Sequence, residues 1–137
     1  MQISIYKNGK LIQKRTNLLT ISTRRKMMDI LLGYASADRE IKTLKLGTAG
    51  GSADENATDL TYEIYEVPYF YRVRTDNEVL TKFSFYAEDI GVGVEILELG
   101  IFGGLLGTTM LSRVLCGFEL VAGAEYVIER RDTFEAG

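Results

Sequence analysis

Tyr69-Phe-Tyr-Arg-Val-Arg-Thr-Asp-Asn-Glu-Val-Leu-Thr-Lys-Phe-Ser-Phe-Tyr-Ala87 is the stretch whose pattern decides the fold. Tyr69, Tyr71 and Val73 alternate with Phe70, Arg72 and Arg74. Asp76-Asn77 then offers a turn, and Phe83 and Phe85 share one face opposite Lys82, Ser84 and Tyr86. A period of two residues belongs to a strand, whose successive side chains point to opposite faces. The spacing predicts a long antiparallel hairpin, its second strand running over 81–87.

The same grammar continues on both sides. Downstream, turn residues at 89–93, 103–107 and 122–123 separate apolar runs at 94–102, 110–118 and 125–134, with Tyr126 and Ile128 on one face of the last. Upstream, Pro68 stands at a strand start, where its missing N–H does least harm. Ile41, Leu44 and Leu46 form a strand that Gly47 ends, and Asn8-Gly9 between Ile5 and Leu11 predicts a two-residue hairpin turn. One helix is expected, over 23–32, where Met27, Met28, Ile30, Leu31 and Leu32 lie on a helical stripe between an N-cap at Ser22 or Thr23 and a stop at Gly33. Strands spaced this way imply a mostly β fold, an antiparallel β-sandwich or flattened barrel with an N-terminal hairpin and one short α-helix. At 137 residues a single domain is expected over 1–137, with hairpin and helix at 1–33 and the sandwich at 41–134.

Composition narrows the chemistry. There is no histidine, which removes Ser-His-Asp and Cys-His arrangements and every imidazole ligand for zinc. The lone Cys116 forms no intrachain disulfide and is expected to sit inside as a small hydrophobe. Glycine-rich phosphate loops fail on spacing, and Glu95 and Glu98, three apart on a strand, point to opposite faces rather than forming a glycosidase pair. No catalytic residue, cofactor or metal is expected, and the chain is read as not an enzyme. The start, MQISIYKNGK, reads as a strand and turn rather than a signal peptide. The longest uncharged run, 99–112, is interrupted by glycines and too short for a membrane helix, so no membrane span is expected.

The segment 48–59 is nearly all small or polar and is expected to be a mobile or interface loop carrying Thr48, Gly50, Gly51, Asp54, Glu55 and Asp59. Its acids lack the Asp-x-Asp spacing of a compact calcium loop. The net charge of −3 hides a division: residues 1–45 hold ten basic against three acidic residues, leaving six against sixteen in 46–137. Opposite charge on two parts of one chain favours packing of copies, and a homo-oligomer is expected. Tyr69 to Arg74 interleaves aromatics with arginines as single-strand binders do, but the run reads as core packing, and nucleic acid is not expected as a partner. A charge embedded in an apolar strand is costly alone. With a turn centred near Leu105-Leu106, Glu98 falls opposite a position near Arg113, so the two are expected to form an internal ion pair, the alternative being that both face solvent.

Several short words stand in a telling order: Asn17 to Leu32, Leu44-Lys-Leu-Gly-Thr-Ala-Gly50, Leu60-Thr-Tyr-Glu63, Glu98-Leu-Gly-Ile-Phe102 and Leu111-Ser-Arg113. This order resembles a family of tailed-bacteriophage virion proteins from tail, baseplate and fibre-attachment regions, although Leu111-Ser-Arg113 departs from the family's Leu-x-x-Arg spacing by one residue. The resemblance implies a structural component of the virion, assembled in the host cytoplasm, an adaptor joining other virion proteins by protein-protein contact. A head-decoration or neck protein, or a non-viral β-sandwich binding module with tyrosines as its platform, are the alternatives.

Overall fold

In the computed structural model, residues 1–16, the backbone at 18–19, and residues 40–51, 58–104 and 106–133 are described. The expected helix over 23–32, the Asn17–Leu32 word apart from the backbone at 18–19, and residues 52–57 of the expected loop, including Asp54 and Glu55, lie outside them.

Asn8 and Gly9 both have positive φ, 51° and 79°, the combination that a two-residue turn matched to strand twist requires. They join β1 (Gln2–Lys7) to β2 (Lys10–Thr16). Ile3 and Ile5 alternate inward on β1, matching Tyr126 and Ile128 of the last strand, β10 (Glu125–Thr133). β1 therefore pairs with β10 from Gln2↔Arg131 to Lys7↔Tyr126. The hairpin is thus built into the sandwich rather than standing beside it as the division at 33 and 41 implied.

Two antiparallel sheets result. One has the order β2-β1-β10-β7-β6, with β6 at Tyr71–Arg74 and β7 at Glu78–Tyr86. The other has the order β3-β9-β8-β4-β5: β3 Leu18–Leu19, β4 Ile41–Gly47, β5 Glu63–Pro68, β8 Glu95–Gly103 and β9 Thr109–Glu119. We call them sheets A and B. On each side of the sandwich the chain passes from an edge of one sheet to an edge of the other, from β2 to β3 and from β5 to β6.

The hairpin quoted first pairs from Tyr71↔Lys82 to Arg74↔Val79, and its second strand begins at Glu78, three residues before the alternation becomes strict. Only Tyr69 of its leading aromatics packs against the core. Phe70 and Tyr71 are 58% and 45% exposed, because β6 is the last strand of its sheet and has no neighbour to bury them. The strand over 81–87 ends one residue early. A single helical turn, α1 (Ala87–Ile90), follows, its start fixed by the Asp89 carboxylate accepting the Tyr86 N–H at 2.8 Å.

Sheet A contributes Ile3, Ile5, Phe83, Phe85, Tyr126 and Ile128 to the core, and sheet B contributes Leu44, Leu46, Ile96, Leu99, Ile101, Val114 and Phe118. Each such side chain stabilises by about 1.5–3 kcal/mol when fully buried. Tyr126 is central: it stacks on Phe85 at 5.6 Å and meets Phe118 at 5.4 Å. Its hydroxyl accepts the Val121 N–H and donates to the Glu119 carbonyl, so the buried phenol is satisfied. A bulge between Ile96 and Glu98 lets Ile96 and Leu99, three apart, both join this core. The same bulge turns Glu98 to the outer face of sheet B.

Candidate functional site

Glu98 is fully buried on that outer face. The ladder sets Gly100 opposite Arg113 and Glu98 opposite Leu115, so Glu98 and Arg113 are diagonal neighbours across β8 and β9. The Arg113 Nε–H donates to Glu98 Oε2 at 2.9 Å, and Arg113 Nη2 lies 2.8 Å from the same oxygen. Glu98 Oε1 accepts the Tyr62 N–H at 2.9 Å, and Arg113 Nη2 donates to Thr61 Oγ1 at 3.3 Å. Both lone-pair regions of the carboxylate are therefore used, which a buried charge needs.

Residues 58–62 form a strap over this pair. Besides the bonds from Thr61 and Tyr62, the Thr48 N–H donates to the Tyr62 carbonyl at 3.1 Å. Leu60 packs with Phe102 and Met110 in a small apolar cluster. Two glycines make room. A Cβ at Gly47 would lie 2.6 Å from Glu98 Cγ and 2.8 Å from the Tyr62 carbonyl, and one at Gly100 would lie 2.7 Å from the Phe102 ring and 2.9 Å from Leu60 Cδ2. Lys45 Nζ sits 4.3 Å above the centre of the Phe102 ring and 3.1 Å from Glu63, closing the side of the strap.

The words Leu44 to Gly50, Leu60 to Glu63, Glu98 to Phe102 and Leu111 to Arg113 thus meet at one place: a glycine, a docked leucine and the two partners of an ion pair. Of the loop residues singled out, Asp59 caps its own neighbour by accepting the Leu60 N–H, and Thr48 anchors the strap, while Gly50 and Gly51 make no such contact with it.

A second buried polar group was not anticipated. The inward alternation of β10 continues past Tyr126 and Ile128 to Arg130 and Asp132, both buried. Arg130 donates from Nε and Nη2 to the two Asp132 oxygens, at 2.9 and 3.2 Å, and from Nη1 across the sandwich to Ser112 Oγ of sheet B at 3.0 Å. Thr81, paired with Arg130 on β7, is buried with no partner for its hydroxyl among the described residues. The signal was the period of two itself, carried two residues further.

Each of these buried carboxylates accepts hydrogen bonds from the protein's own donors. Among the described residues no cluster of three Cys, Asp or Glu could hold a metal, and no helix is long and apolar enough to cross a membrane. Burial pushes the half-buried Cys116 thiol up to about 12, the Arg15 charge opposing and the Glu98 carboxylate adding to the shift. No family model, curated protein or solved structure matches the chain.

Proposed function

We propose that the chain is a structural component of a tailed-bacteriophage particle, from its tail, baseplate or fibre-attachment region, and that it works by adhesion to other virion proteins and to copies of itself. The observation that carries this reading is the convergence of the family-like words on the strap. Residues scattered over four segments act together to fasten a connection onto the outer face of a sheet, which is what a rigid joining module needs. Adhesion of this kind rests on shape and buried area rather than on one reactive group.

Cryo-electron microscopy of particles made by the genome that encodes the chain tests the proposal. The expected result is density for this two-sheet sandwich in several symmetric copies between the tail and its neighbours. Density on the head shell or neck would keep the structural role and move its place, whereas intact particles without the chain by mass spectrometry would overturn the reading.

A further inference from the structure

The cations of the described structure divide sharply. Lys45, Arg72, Lys82, Arg113, Arg130 and Arg131 each have a carboxylate partner. Lys7, Lys10, Lys14 and Arg15, clustered on and beside β2, and the single Arg74 on β6 have none among the described residues. β2 is also the outermost strand of sheet A, and between its lysines it exposes Leu11 (46%) and Ile12 (38%). At one end of the sandwich Glu88, Asp89, Glu95 and Glu119 are exposed and likewise have no cation partner among the described residues. Glu95 stands directly opposite Glu119 on the β8–β9 ladder, a like-charge pairing that costs stability and that nothing in the described fold relieves.

We propose that the β2 edge of one copy docks on the acidic end of a second copy, head to tail; this deepens the adhesive reading above and rests on it. Both halves of the contact are on this chain, opposite in sign and unpaired among the described residues. They do not satisfy each other inside one copy. The Asn8-Gly9 turn lies beside Glu125 at the acidic end, and Lys14 and Arg15 are about 13–17 Å further along the strand than Lys10 at 3.3 Å per residue. The acidic end is made of turns and strand ends, and lysines on an edge strand disfavour sheet extension, so side chains make the contact, with Leu11 and Ile12 supplying its apolar centre. A contact between unlike surfaces repeats from copy to copy and closes into a ring or runs on as a chain.

Sedimentation of the whole chain tests this, with the charge-reversed pairs Lys14→Glu/Arg15→Glu and Glu95→Lys/Glu119→Lys. The wild-type chain is expected to associate in about 20 mM salt and to dissociate in about 0.5 M, where screening acts over a few ångströms. Each variant alone should associate at least about tenfold more weakly. An equimolar mixture of the two should regain association, since the unchanged acidic end of one variant meets the unchanged β2 edge of the other and the two reversed surfaces are again opposite in sign. Single changes, Lys14→Glu and Glu119→Lys, replace either pair that fails to melt cooperatively. A wild-type chain that stays monomeric in low salt overturns the docking, as do variants that associate like wild type or a mixture of folded variants that stays monomeric. Capture of a single-stranded DNA oligonucleotide through β2 by an otherwise monomeric chain overturns it in favour of phosphate. A monomer in solution leaves the particle experiment standing, and absence from the particle leaves this one standing.

Discussion

The outer faces of the two sheets carry the same chemistry at different depths. On sheet A, Arg131 joins Glu129 and Glu78 at 3.0 and 3.1 Å, and Lys82 lies 3.9 Å from Glu129, with the Arg131 side chain 43% exposed. On sheet B, Arg113 joins Glu98 at 2.8 Å with the carboxylate fully buried under the strap. In the first network water solvates Arg131 whether or not its partners meet, and Glu129, though buried, keeps Lys82 beside it, so the Arg131 contacts add little. In the second, protein groups have replaced water, and each partner depends on the other. An ion pair's contribution here is set by what covers it rather than by its distance.

The largest expected effect follows from that difference. Glu98→Gln and Arg113→Met each strand a buried polar or charged partner and are expected to cost about 3–5 kcal/mol, while the double variant recovers much of the loss. Denaturant unfolding of the three variants measures the coupling directly. Single losses within about 0.5 kcal/mol would erase the contrast between the two faces. Next comes the strap's fit. Gly47→Ala places a methyl group against Glu98 and the Tyr62 carbonyl and is expected to cost about 1–3 kcal/mol, as overpacking does. Hydrogen exchange at the Tyr62 amide should speed up in this variant more than exchange on β10; equal acceleration everywhere would mean that the strap is not a separate unit.

How much of this was legible in the sequence depended on period. The alternation through Phe83 and Phe85, and the Asn8-Gly9 turn, carry the sandwich because strand sterics and positive φ are local properties. Glu98 and Arg113 stood out as charges inside apolar runs, and the short glycine turn between their strands brought them near. The bulge beside Glu98 was not legible, since whether a strand slips by one residue is decided by how Ile96 and Leu99 pack against the opposite sheet. Nor was the inward-facing Arg130: charged residues near a strand end read as solvated until the facing Ser112 is seen. Phe70 and Tyr71 misled for the opposite reason, because composition does not tell an edge strand from a central one.

On sheet A the expected effect is small. Arg131→Met removes contacts to Glu129 and Glu78, yet stability should change by only about 0–1 kcal/mol, and less as salt rises. Thermal melts at low and high salt check both points. A loss above about 2 kcal/mol would mean that this network, despite its exposure, behaves like the buried pair.

The smallest effect on stability belongs to Cys116, which sharpens the comparison because it lies on the same strand as Arg113 but packs toward the core. Its thiolate would be buried without a cation bound to it, so desolvation raises its pKa from an ordinary 9.0 to about 12. The folded chain therefore holds the thiol proton more tightly than the unfolded chain. Its contribution to stability is fully present below about 9 and falls as pH rises from there toward about 12, so near neutral pH ionisation of Cys116 makes no difference to folding. Reactivity is where the shift shows. At pH 8 the native thiolate fraction is expected to lie far below that of the unfolded chain, since the thiolate is the nucleophile and its population follows the pKa. Iodoacetamide labelling followed by mass spectrometry should give a native rate still climbing at about pH 10, while the urea-unfolded chain levels off above about pH 9. A native rate that levels off at the same pH as the unfolded one would show that burial does not raise the pKa of this thiol.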